Sequence, residues 1–269
     1  MKNNNSLIKI IIIVLSLLIL FFSLSFINKK NNDNEKNKKQ TIIKKYDLEY
    51  IEDLNFNFRN INANFYSTNK DKLVIKQIGK SSKLLVDVST NDEKLVFKEK
   101  PQNIFSKVKY KIYIPDGYSN NINIINAFGI LKIDTLYVPT SINNNTGNIS
   151  ISSIDTLDIT NASGNISIKN ITSSIDLTSS TGDVSINKLT GRCNMETITG
   201  DISINKFNIL ENSNIESTAG DISIKVQKTS SCNLILDIKD KDIKEPKDIC
   251  NNGQNNLLIK NITGTVNIK

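Results

Sequence analysis

From residue 46 onward the chain alternates apolar and polar residues in short runs, as in KLVIKQIG, KLLVDVST, KLVFKEK and KVKYKIYIP. Successive side chains of an extended strand point to opposite faces. Each run therefore predicts a β-strand with one face buried and the other in water.

Beyond residue 127 the alternation acquires a period. TGNISI at 146, SGNISI at 163, TGDVSI at 181, TGDISI at 199, AGDISI at 219 and TGTVNI at 263 repeat one motif, with a degenerate FGILKI at 128. Gly129, Gly147, Gly164, Gly182, Gly200 and Gly220 are spaced 18, 17, 18, 18 and 20 apart, and Gly264 follows an insertion. Apolar residues recur two, four and seven positions after the glycine: Ile166, Ile168 and Ile171, then Val184, Ile186 and Leu189, then Ile202, Ile204 and Phe207. A second apolar pair follows, Ile175 and Leu177 in one unit and Cys193 and Met195 in the next. In the 17-residue unit that pair moves back by one, to Leu157 and Ile159, as a deletion in the intervening turn requires. Both strands of each unit thus face one interior.

Hairpins reverse direction and do not demand the same residue at the same place every 18; parallel coils do, because each residue stacks on its counterpart about 4.8 Å away. The pattern predicts an all-β chain, a parallel β-solenoid with coils of about 18 residues. Each coil is two short strands, with the glycine at a corner that needs positive φ or close backbone approach. The six-residue sub-period of the left-handed hexapeptide helix is missing, so a right-handed winding is preferred. Residues 139–269 form the regular coils, interrupted by an insertion at about 226–256. Residues 46–138 carry nearly all the aromatic residues outside the N-terminal apolar segment, which predicts wider coils or a cap over the solenoid end. The insertion and the final strand GTVNIK are expected to cap the other end.

The N-terminus differs. LIKIIIIVLSLLILFFSLSFI, residues 7–27, is uncharged after Lys9 and long enough to cross a bilayer core of roughly 30 Å. No lipoprotein-type cysteine follows it, and Ser23–Ser25 is a poor cleavage site. Residues 1–28 are read as an uncleaved signal anchor, a single transmembrane helix, and residues 29–45 as a polar tether. Lysines on both sides of the segment leave the positive-inside count pointing inward. The layout of basic start, apolar run, tether and strand-rich body points outward, and the body is expected to be extracytoplasmic.

The net charge of +7 comes from lysines scattered singly, apart from those in the tether. No recognition helix, aromatic-basic stripe or zinc spacing accompanies it, so no nucleic-acid partner is expected. Cys193, Cys232 and Cys250 lack a C-x-x-C pairing, so neither a zinc site nor a thioredoxin-like centre is indicated. Cys232 and Cys250 bracket the insertion and could close it as a disulfide, or remain ordinary thiols. Cys193 occupies a core position as a buried thiol.

The strand-rich leader, KYKIYIPDGY ending at Pro115, INIINAFGILKI and the serial T/S-G-D/N-x-S-I units together resemble the adhesin-type β-strand-repeat family, domain of unknown function 4097. The resemblance covers about residues 46–269. It implies a bacterial parallel β-solenoid, often on a membrane-anchored or envelope-associated chain, with no established enzyme activity.

Asp183, Asp201 and Asp221 occupy one repeat position, preceded there by Asn148 and Asn165. They read as interchangeable turn formers beside glycine. One carboxylate per coil supplies too few oxygens for calcium, so no metal or other cofactor is expected. Ser150, Ser167, Ser185, Ser203 and Ser223 form an outward row suited to glycan contact or simply to water. With no histidine and no base placed beside a serine, no catalytic residue is identified. An enzyme reading has only the insertion to use, with Asp237, Asp240, Asp242, Glu245 and Asp248. The expectation is a non-enzymatic surface-binding module contacting cell-wall glycan or an envelope protein. The alternative is a scaffold or regulator in an envelope-stress response, and a carbohydrate-active enzyme stands behind both.

Overall fold

A computed structural model of the chain describes residues 39–60, 62–101, 108–230, 232–239, 243–244 and 253–269. The expected anchor at 1–28, the tether as far as residue 38, Cys250 and much of the insertion lie outside the described residues. Among the described residues no helix is long and apolar enough to cross a membrane, and all regular structure is β.

The leader contains β1 (Gln40–Tyr46), β2 (Asp53–Phe58), β3 (Asn62–Thr68), β4 (Leu73–Gly79), β5 (Val86–Asn91), β6 (Lys94–Glu99), β7 (Lys109–Pro115), β8 (Asn121–Phe128) and β9 (Leu131–Leu136). The repeats form β10 (Thr140–Thr146), β11 (Ile149–Ser163), β12 (Ile166–Thr181), β13 (Val184–Thr199), β14 (Ile202–Ile209), β15 (Ser213–Ala219) and β16 (Ile222–Val226). The chain ends with β17 (Cys232–Ile238), β18 (Ile243–Lys244), β19 (Asn255–Thr263) and β20 (Val266–Ile268). Residues 40–45, expected within the tether, instead form a strand with Tyr46, Gln40–Tyr46, that pairs with β4.

Period-two alternation becomes two faces around one core. The strand after each corner glycine lies on what we term the first face, and the strand before the next glycine on the second. β11, β12 and β13 pass from one to the other unbroken. On the first face Ile149, Ile166, Val184, Ile202, Ile222 and Val266 stack in parallel register. On the second, Ile124, Ile142, Ile159, Leu177, Met195, Ile215 and Ile259 do the same. Every one of these side chains is at most 3% exposed. The one-residue deletion of the short coil appears as a register shift between Ile154 and Thr156, at the bend between faces.

The ends depart from chain order. β2 lies between β6 and β8, with Leu54 beside both Leu95 and Ile122. β3 lies between β7 and β9, with Phe65 beside both Ile112 and Ile133. The β2–β3 coil is therefore tucked one layer inside the β6–β7 coil. Beyond that coil, β4 and β5 pair antiparallel with β7 and β6. The leader supplies both coils and a cap. Its core is aromatic: Phe56 stacks on Phe97 at 4.8 Å and meets Phe65 edge-on at 5.0 Å.

The C-terminal end repeats the device. β19 lies between β15 and β17, and β20 between β16 and β18. The final strand is thus interior, which corrects its expected role as a cap; the outermost described layer is β17–β18, from the insertion. A two-residue β18 presents less edge than a full strand would.

Candidate binding faces and the ladders beneath them

All seven repeat glycines have positive φ, from 116° at Gly182 to 141° at Gly220. A Cβ on Gly182 would also lie 2.3 Å from the Gly164 carbonyl oxygen, so the corner demands glycine twice over. Gly191, which belongs to no repeat, has φ 117°, and a Cβ there would sit 1.6 Å from the Ser173 oxygen. Sequence periodicity had no way to mark it.

Beside the corners runs the Asx row. The backbone N–H of Asn165 donates to Asn148 Oδ1 at 3.0 Å, Asp183 N–H to Asn165 Oδ1 at 3.0 Å, and Asp201 N–H to Asp183 Oδ1 at 3.1 Å. Asp221 and Thr265 continue it, each at 2.8 Å. The acceptor serves the neighbouring coil and not the local turn that the sequence suggested. Asn and Asp interchange because only an Oδ1 is used. Among the described residues no group of three His, Cys, Asp or Glu is placed to hold a metal ion.

A buried polar ladder escaped sequence reading. Asn126 Nδ2 donates to Asn144 Oδ1 at 2.8 Å, Asn144 Nδ2 to Asn161 Oδ1 at 2.7 Å, and Asn161 Nδ2 to Ser179 Oγ at 3.0 Å. The same amides donate to the corner carbonyls of Gly147 and Gly164. The bonds are part-buried, and leaving such an oxygen without a donor costs up to about 1–3 kcal/mol. Thr197, Ser217 and Asn261 extend the row. The available signal was a polar residue three before each glycine, in phase with the core aliphatics.

Three surfaces face solvent. The serine row is exposed on the first face as expected. On the second face Arg192 grips Asp176 with both guanidinium nitrogens, one at 2.8 Å, and Asn194 donates to the same carboxylate. Burial pushes the Asp176 carboxyl up, but these donors outweigh it and hold the group below its ordinary range. Asn214 and Lys260 lower Glu216 in the same way.

The third surface is a cleft of about 630 Å³ beside the leader, with Asp47, Glu49, Glu52, Asp71, Glu93 and Asp116 among its lining. Repulsion from Glu52 raises the Glu93 carboxyl. Tyr50, 82% exposed with φ 65°, stands in its wall.

The cysteines offer no exposed reactive thiol among the described residues. Cys193 is fully buried, and burial pushes its thiol up. Cys232 is buried and disulfide-bonded; Cys250, its expected partner, lies outside the described residues. Of the insertion carboxylates Asp237 is exposed on β17, and Asp240, Asp242, Glu245 and Asp248 also lie outside.

A stack of parallel two-faced coils, with glycine corners and Asx and Asn ladders, defines the class: an all-β, parallel-rich repeat protein. Within that class the chain belongs to the Toastrack family, DUF4097, whose family model matches residues 30–269. Among solved structures it is similar to a "putative adhesin" from Bacteroides fragilis, at 15% identity and TM-score 0.50, covering 87% of this chain and 99% of that one. It also matches a "putative cell adhesion protein" from Clostridium sporogenes, at 15% identity and TM-score 0.27, over 86% and 99% of the two chains. No curated protein matches the chain.

Proposed function

We propose that the chain is a membrane-anchored, extracytoplasmic β-solenoid of right-handed winding that acts as a non-enzymatic, adhesin-like binding module. The observation that carries this reading is the unbroken first face, on which Ser150, Ser167, Ser185, Ser203 and Ser223 stand exposed in register. A flat row of hydroxyls at strand spacing suits an extended ligand better than a small substrate. The apolar run at 7–27 supports the anchor. The "putative adhesin" description of the Bacteroides fragilis structure agrees with the binding role.

The full chain in detergent is expected to bind a glycan array or isolated cell walls; absence of binding to both overturns the reading. Protease added to intact cells should reach the β body. Resistance on cells, with cleavage after lysis and of an external control, overturns the topology. A second reading, a scaffold or regulator of an envelope-stress system, draws on the acidic cleft around Tyr50 as a contact for another envelope protein. Crosslinking from that cleft to a membrane partner would favour it.

A further inference from the structure

The outward row that carries the serines changes character at the leader end. In register along the first face stand Lys76, Lys111, Asn64 and Lys132, followed by the serines and then Asn267 and Lys244. At strand spacing the row runs about 50 Å. Lys109 lies on the same strand as Lys111, one outward position away. On the other side Tyr66 and Tyr113 stack with ring centroids 5.2 Å apart, and Lys76 Nζ sits 4.8 Å over the Tyr113 ring. Asn64 Nδ2 donates to the Tyr66 hydroxyl at 3.0 Å.

The ion pairs found among the described residues use Lys72, Lys94, Lys100, Arg192 and Lys260, and none of the row's lysines. Like charges on adjacent strands repel by about 1 kcal/mol even in water, a cost that an anion lying along the row removes. Asp134, two residues from Lys132 on β9, is an outward acid close by. The larger acidic group, Asp158, Asp176, Glu196 and Glu216, lines a depression on the second face. The two faces therefore differ in sign.

We propose that the lysine end of the first face, continued by the serine row, binds a linear acidic polysaccharide. The lysines meet its carboxylates, the hydroxyls its sugar hydroxyls, and the tyrosine pair borders the track with apolar ring surface. A line of single charges with no enclosing walls fits a polymer strand and not a free small anion. This inference rests on the surface-binding reading and names its ligand class.

The test measures binding of the full chain in detergent to polygalacturonate, to neutral dextran and to double-stranded DNA. Polygalacturonate is expected to bind, more weakly as salt rises. The pair Lys111→Gln and Lys132→Gln should weaken it by about tenfold, and the pair Lys111→Arg and Lys132→Arg should retain it. Melting within about 3 °C of the parent shows that the Gln pair is folded.

Three results overturn the inference: no binding to polygalacturonate, equal binding to DNA, or no effect of the Gln pair. If cell walls or dextran still bind while polygalacturonate does not, this inference falls and the surface-binding reading stands. If nothing binds, both fall.

Discussion

The regular middle of the stack and its two ends build the same two-faced coil by different routes. In the middle, stack neighbours are chain neighbours: the corner bond from Asn165 to Asn148 spans 17 residues and that from Asp221 to Asp201 spans 20. At the leader end the bonded pair Asn123 and Asn55 is 68 apart, and at the other end Lys260 and Glu216 are 44 apart. A strand on the outside of a stack has one ladder and one bare edge, whereas a strand one layer in has two ladders. Threading β2–β3 and β19–β20 inward means that unravelling either coil breaks hydrogen bonds on both sides. The middle gets its order from repetition, and the ends get theirs from long-range closure.

The sharpest way to break this comparison is at Phe56, on the tucked coil. It is fully buried and contacts Phe58, Phe65 and Phe97. Phe56→Ala is expected to destabilise the β body by about 4 kcal/mol in chemical denaturation. Amide exchange in β2 of the parent should be as slow as in β12. Fast exchange in β2, or a loss under about 1 kcal/mol, would mean that the end coil is not integrated with the rest.

The middle has its own point of failure at the corners. Gly182→Ala combines a φ of 116° with a Cβ 2.3 Å from backbone, and is expected to cost about 3 kcal/mol. Gly117, in the turn after β7, has nothing within 4 Å of an added Cβ. Gly117→Ala should therefore change stability by no more than about 0.5 kcal/mol. Equal losses at the two sites would remove the corner argument.

The same contrast explains what the sequence could disclose. The corner glycines, the inward aliphatics and the outward serines recur at a local period, and periodicity is readable without knowing any partner. The tucked coils were not legible, because nothing in DLNFNF or NLLIKNIT records which strand 40 or more residues away lies beside it. Gly191 was missed because it answers one bend. The Asn126 to Asn161 ladder was written in phase with the core, but polar residues there look like interruptions until the corner carbonyls they satisfy are seen. Of the candidate binding surface, the serine row was visible and the lysine row was not. Lys76, Lys111 and Lys132 come together only through β4, β7 and β9, with Asn64 on the tucked β3 between them.

A smaller effect is expected from charge on the second face. The Asp176 and Glu216 carboxyls lie lower in the folded chain than in the unfolded one. Their stabilisation is therefore complete above the ordinary carboxylate pKa of about 4 and is lost as pH falls through the lowered folded values. Arg192→Gln should cost about 0.5–1 kcal/mol at pH 7, given that the pair is part-exposed. The gap between variant and parent should narrow as pH falls below the ordinary carboxylate range and the Asp176 carboxyl takes up its proton. A gap that persists there would place the role of Arg192 in packing rather than in its charge.

The smallest expected effect bears on whether the middle needs its carboxylates at all. Asp201 Oδ1 accepts the Asp221 N–H at 2.8 Å, and the Asp201 N–H donates to Asp183 at 3.1 Å. Asn148 and Asn165 already perform this task with an amide oxygen. Asp201→Asn keeps the acceptor and removes one charge from a row of like charges, so stability should stay within about 0.5 kcal/mol of the parent. Asp201→Ala removes the acceptor and should cost about 1 kcal/mol. Added calcium should leave the melting temperature of all three proteins unchanged. If instead the Asn variant fell as far as the Ala variant, the charge itself would be the working feature, and the repeated aspartate would have to be read as an ion site.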